Sequence, residues 1–157
     1  MVYLITGPKN AGKTTKLLNL YKEKKGGGIA SIKGNKDGYR YYNMVFLGSA
    51  LSPLLLATED PSALNEKGFF KFKRFYFNQS AFKNAYIYIT QLIALRISPI
   101  FLDEVGELEL NGNGFHKTCL KLINLRTDVY ITVRDRNVGG FLKMFKPKDF
   151  KVLKIKE

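Results

Sequence analysis

LITGPKNAGKTTKLLNLYKEK, Leu4 to Lys24, passes from an apolar run through glycine and lysine into a helical pattern. Val2 to Thr6 is short, apolar and ended by a glycine, the pattern of a strand buried on both faces. Beyond the break, Thr14, Leu17, Leu18 and Tyr21 recur at i, i+3, i+4 and i+7, with Lys16, Asn19 and Glu23 opposite, and Gly26-Gly27-Gly28 stops the helix. Between the two, Gly7 to Thr14 fills G-x-x-x-x-G-K-[ST] completely, in the strand-to-helix setting that gives this spacing its meaning.

Each residue type in that loop has a physical reason. Glycine lets the backbone approach a phosphate without a Cβ, and successive N–H groups at a helix N-terminus attract an anion. The expected nucleotide-binding residues are Gly7, Pro8, Lys9, Asn10, Ala11, Gly12, Lys13, Thr14 and Thr15. Lys13 would reach the β- and γ-phosphates as a catalytic cation, and the Thr14 hydroxyl would take a place on Mg²⁺. The loop therefore predicts a bound nucleoside triphosphate and its metal.

Working outward, Ile29–Ile32 and Tyr39–Leu47 read as strands around KGNKDG, a hairpin turn. Ser49 to Gly68 reads as a long loop, and FFKFKRFYF, Phe69 to Phe77, as one strand with Phe70 and Phe72 on the core face and Lys71 and Lys73 on the water face. Asn78 or Ser80 caps a helix running to about Arg96. Pro99–Leu102 is a second buried strand, Phe115, Cys119 and Leu122 mark a helix face, Val129–Val133 is a third parallel-type strand, and Val138–Phe145 and Val152–Ile155 close the chain as helix and strand. Strands alternating with helices predict right-handed βαβ units. The fold class expected is α/β, a three-layer P-loop sandwich with a mainly parallel central sheet and an antiparallel hairpin insertion, with residues 1–157 as one domain.

The acidic cluster Asp103, Glu104, Glu107 and Glu109 follows the second buried strand, at the carboxyl end where ligands of open α/β sheets bind. Asp103 is the expected metal acid with Thr14, and Glu104 the expected catalytic acid that polarises the attacking water. Asp103-Glu-Val-Gly106 also spells the D-x-x-G of many GTPases. The chain has no N-K-x-D on a later strand, only NKDG at Asn35, so guanine specificity is discounted.

The N-terminal loop, GGGIAS with its hairpin, FLDEVGELEL and VYITVRDR together resemble the small nucleoside-triphosphatases of thermophiles and their cancer-related relatives. The most specific element is D-E-[hydrophobic]-G-x-x-E, filled by Asp103, Glu104, Val105, Gly106 and Glu109. The resemblance implies RecA-like topology and slow Mg²⁺-dependent hydrolysis of several nucleoside triphosphates. Lys13 and Thr14 match its phosphate and metal positions, Asp103 its metal acid and Glu104 its catalytic acid. Lys9-Asn10 depart from a tendency to Pro-Gly there, and Ser49 to Lys83 is unusually aromatic and basic.

Several residues stay open at this level. Glu109 either fixes the turn, touches ribose or is a solvated acid. Arg134 is a candidate catalytic residue that, with Arg136, would contact the γ-phosphate, or else both join Asp135 in a surface ion-pair cluster. His116, the single histidine, reads as structural or capping. The net charge of +13 and the aromatic-basic stretch would suit nucleic acid, but the lysines form no dense block, so that partner is allowed and not favoured. A nucleotide or polynucleotide kinase is the rival enzyme. The single cysteine, Cys119, and the absence of a secretory pattern before Leu4 point to the cytoplasm, no apolar run reaches membrane-span length, and a monomer is expected.

Overall fold

The computed structural model describes residues 1–156. Its opening apolar run is β1 (Val2–Gly7), with Leu4 and Ile5 fully buried on opposite faces of the sheet. The helical stripe is α1 (Lys13–Lys24), whose Leu17 is fully buried against Ile5, Ala30, Phe101 and Tyr130. The chain continues through β2 (Gly27–Lys36), β3 (Tyr39–Leu47), β4 (Leu54–Thr58), β5 (Phe69–Phe72), β6 (Phe75–Asn78) and α2 (Gln79–Ala94). It ends with β7 (Ile100–Val105), α3 (Glu107–Leu110), α4 (His116–Leu122), β8 (Val129–Arg134), α5 (Val138–Phe145) and β9 (Phe150–Lys154).

All strands join one nine-stranded sheet in the order β5-β6-β4-β3-β2-β7-β8-β1-β9. Strands β2, β7, β8, β1 and β9 pair in parallel, and β3, β4, β6 and β5 extend the sheet as an antiparallel wing. Strand β8 stands between β1 and β7, the additional strand that the RecA-like expectation requires. Helix α1 covers one face, and α2, α4 and α5 cover the other over a core that includes Phe82, Phe115 and Phe141. Burying a side chain of that size contributes about 2–3 kcal/mol. Among the described residues no helix is long and apolar enough to cross a membrane.

Three expectations change. The loop expected over Ser49–Gly68 contains β4, whose Leu56, Ala57 and Thr58 are buried, and a 3-10 turn at Pro61–Asn65 capped by Asp60. The run Phe69–Phe77 is a hairpin, not one strand: Phe72 pairs with Phe75 across a Lys73-Arg74 turn. The two-residue turn shifts the alternation so that Phe70, Phe72, Phe75 and Phe77 share one face, whereas a single strand would put Phe75 and Phe77 opposite Phe70 and Phe72, and Lys-Arg carries none of the usual Asn-Gly signal. The first hairpin is longer than expected, because β2 runs to Lys36 and only Asp37-Gly38, both at positive φ, make the turn.

Glycine is required where β2 crosses β7. A Cβ on Gly28 would lie 2.0 Å from the carbonyl oxygen of Phe101. That contact involves backbone on both sides and cannot be relieved by a rotamer change. Gly28→Ala is therefore expected to destabilise by about 3 kcal/mol or more, read as a lower urea midpoint at unchanged slope.

Candidate active site at the carboxyl end of the parallel strands

The loop between β1 and α1 is held by its own atoms. Lys13 Nζ donates to the carbonyl oxygens of Gly7 (3.2 Å) and Pro8 (2.7 Å), Ala11 N to that of Pro8 (3.2 Å), and Lys16 N to that of Gly12 (2.9 Å). Asn10 and Gly12 take positive φ, and Asn10 Oδ1 accepts a hydrogen bond from Lys33 on β2. Thr15 is exposed on the first turn of α1. Partial burial lowers the Lys13 ammonium pKa, while Glu104 pulls it back up. A lysine resting on neutral carbonyls is available to a phosphate that offers it full charge.

Asp103, at the end of β7, is fully buried. Its Oδ2 accepts from Thr14 Oγ1 (2.9 Å) and Ser31 N (3.0 Å), and its Oδ1 accepts from Thr132 Oγ1 (2.5 Å). Burial pushes its carboxyl upward in pKa, and the Thr132, Ser31 and Thr14 hydrogen bonds oppose that push. Thr14 and Asp103 thus meet across 89 residues of sequence. Among the described residues no cluster of three or more His, Cys, Asp or Glu side chains could hold a metal. A hydroxyl beside a carboxylate, with nothing further, fits a hard divalent ion that keeps several waters and takes the rest of its shell from phosphate.

The register of β7 against β8 shifts between Leu102 and Val105. Glu104 sits in that shift at φ 64, and its N donates to Thr132 Oγ1 at 2.7 Å. A left-handed glutamate is strained, and the distortion sends its side chain outward between buried Asp103 and Val105. Burial within the cleft first, and then Asp103, raise its pKa. Arg134, half-buried at the end of β8, lines the same cleft as Lys13 and Glu104.

The rim of the cleft is cationic. Exposed Lys9 has its pKa depressed by Arg74 foremost, and also by Arg40, Arg134 and Lys33, so these charges share one region. The two arginines, Arg134 at the end of β8 and Arg136 just beyond it, part company. Arg136 pairs with Glu107 at 2.9 Å, and Lys73 from the β5–β6 turn pairs with the same carboxylate. Asp135 accepts the backbone N–H of Arg136 and pairs with neither guanidinium among the described residues, so the alternative of a surface cluster around Asp135 does not form. Phe70 and Phe72 pack on the core, as the strand reading of their alternation expects, and Phe77 joins them because the turn returns it to the same face.

The family profile described as NTPase matches residues 2–157. The chain belongs to the NTPase family. Among solved structures it is similar to THEP1 from the hyperthermophile Aquifex aeolicus, with 16% identity, a TM-score of 0.74 and 99% of this chain and 90% of that chain covered. It is also similar to a human cancer-related nucleoside triphosphatase, with 16% identity, a TM-score of 0.69 and coverage of 99% and 88%. No curated protein sequence matches it. At that identity the two structures establish the fold, and the profile establishes the NTPase family.

Sequence reading missed Ser31 and Thr132, which hold Asp103, and α3. Thr132 carried a signal as the polar residue within the apolar strand VYITV, whereas Ser31 acts through its backbone and has none. Glu109, left open by the sequence, fixes the turn: it is buried and accepts from Gly106 N (2.8 Å) and Phe115 N (2.9 Å). The Glu109 carbonyl oxygen contacts His116 Nδ1 at 2.8 Å, the structural role expected of that histidine.

Burial raises the Glu109 pKa in this NTPase from 4.5 to about 7. The folded chain thus holds a proton that the unfolded chain releases, so stability is fully present below about pH 4.5 and declines as pH rises toward 7. The decline amounts to ~3 kcal/mol at about 1.4 kcal/mol per pKa unit. Glu109→Gln is expected to flatten this part of the stability-against-pH curve, measured by urea unfolding at a series of pH values.

Proposed function

We propose that the protein hydrolyses nucleoside triphosphates to diphosphate and phosphate in a Mg²⁺-dependent reaction with little preference for the base. The observation that carries this reading is the Thr14 Oγ1–Asp103 Oδ2 contact of 2.9 Å at the mouth of a complete phosphate loop, with Glu104 beside it. NTPase family membership supports hydrolysis. Residues 1–157 would act as one monomeric domain in the cytoplasm.

Thr14 and Asp103 would hold Mg²⁺, which when bound neutralises phosphate charge. Gly7 to Thr15 would bind the phosphates through backbone N–H groups and the helix end. Lys13 would leave the Gly7 and Pro8 carbonyls for the β- and γ-oxygens and stabilise charge on the leaving diphosphate. Glu104 would orient a water in line with the γ-phosphorus and accept its proton, a role favoured by its raised pKa. Arg134, free of any carboxylate bond among the described residues, would contact the γ-phosphate. The loop reads phosphates, and the chain lacks N-K-x-D on a later strand, which supports a broad choice of base.

Phosphate release from ATP, GTP, CTP and UTP is expected to be comparable and to stop on chelation of Mg²⁺. Lys13→Ala and Glu104→Gln should each slow it about 100-fold or more, while Glu104→Gln still binds nucleotide in equilibrium titration. Binding without phosphate release by the wild type would refute the hydrolase.

A further inference from the structure

The cleft continues past Glu104. Its volume is about 220 Å³, and its lining includes the rings of Tyr42, Phe72, Phe75, Phe77, Phe82 and Phe115. Five of these rings form a file, with centroid separations of 5.5 Å (Tyr42–Phe75), 6.3 Å (Phe75–Phe77), 6.0 Å (Phe77–Phe82) and 4.9 Å (Phe82–Phe115). One water occupies roughly 30 Å³ of liquid, and an apolar cavity of about 150 Å³ admits benzene. That volume spans the phosphate end as well as the rings, and nothing in the chemistry of hydrolysis needs aromatic walls.

Polarity divides the cleft. Lys9, Lys13, Glu104 and Arg134 cluster at the phosphate end. The lining also carries Glu107, paired with Lys73 and Arg136, and Glu109, whose carboxylate oxygens accept from Gly106 N and Phe115 N, so both acids are already partnered. Of the loop, the cleft touches Lys9, Asn10 and Lys13, and Lys13 is the residue that reaches the terminal phosphates. One cleft therefore joins the aromatic rings to Lys13 and Glu104, the residues assigned above to the terminal phosphates and to the attacking oxygen.

We infer that this chamber is a second substrate site. It takes a small neutral aromatic alcohol, with the ring among the phenylalanines and the hydroxyl beside Glu104, and the protein transfers the γ-phosphoryl group to that alcohol. The inference rests on the nucleotide site proposed above. The alcohol oxygen forms a bond to the γ-phosphorus, and its proton passes to Glu104. The bond from phosphorus to the β,γ-bridging oxygen breaks with its electron pair left on the nucleoside diphosphate, where Lys13 stabilises it. The products are nucleoside diphosphate and a phosphate monoester.

The test uses the whole chain with benzyl alcohol and 2-phenylethanol. Binding without nucleotide is followed by ligand-observed NMR, and transfer by label from γ-labelled ATP appearing in the monoester. Saturable binding is expected, together with monoester formation that disappears in Lys13→Ala. Ala57→Phe, which fills the chamber from β4, should weaken alcohol binding at least tenfold. Phe77→Ala, which enlarges it, should shift preference at least tenfold toward 2-naphthalenemethanol and guards against a filled variant that fails to fold.

Phosphate release to water with no alcohol binding would overturn the chamber and leave hydrolysis standing. Alcohol binding with label passing only to water would overturn the transfer. Displacement of the alcohol by ATP would mean that the nucleotide's own base fills the chamber, which also overturns the inference. Alcohol binding with neither release nor transfer would refute the nucleotide-site reading together with the transfer.

Discussion

The hydroxyl of Thr132 is the junction on which the site depends. It donates to Asp103 Oδ1 and accepts from Glu104 N, so one side chain on β8 fixes two consecutive acids on β7. Asp103 is fully buried, and an ionised carboxylate there is tolerable only because several donors converge on it. Those donors come from β2, α1 and β8, three elements brought together by the parallel sheet. The β8 insertion between β1 and β7 is therefore part of the chemistry as well as of the topology. Without it, Asp103 would lose Thr132 and Glu104 the anchor of its strained turn.

That strain has a visible use. A regular strand would point Asp103 and Glu104 to opposite faces of the sheet, leaving one acid remote from the loop. The register shift on β7 and the left-handed backbone at Glu104 instead bring both acids to the carboxyl edge, one buried and one in the cleft. The antiparallel wing then adds what the parallel half lacks, a wall of aromatic rings. The cleft thus has a polar end made by β7, β8 and the loop from β1 to α1, and an apolar wall to which β3, β4, β5 and β6 contribute.

The loop, its strand and its helix were legible because their signals are local: glycine spacing, then a helical apolar stripe. Asp103 and Glu104 could be read for a similar reason, since an apolar run leads directly into them. The wing was harder. Leu54 to Thr58 lacks alternation because β4 buries its latter half, and its neighbours are proline and serine, so it resembles a loop. The Lys73-Arg74 turn has no glycine or asparagine to announce it. Donation by Ser31 N to Asp103 joins residues 72 apart through a backbone atom, information that no side-chain pattern contains. What sequence conceals here is the set of long-range contacts that hold the acids, not the acids themselves.

The β5–β6 hairpin is tied down at its tip on both sides. Lys73 shares Glu107 with Arg136, and Arg74 shares Glu59 with Arg40. Each carboxylate bridges two cations, and each lies near the surface, where dissolved ions compete with such pairs. Between them run Phe72 and Phe75, the rings that form the outer wall of the cleft. Added electrolyte weakens these pairs, each small on its own, and the hairpin then rests on the pairing of β6 with β4 and on Phe70, Phe72 and Phe77 packed on the core.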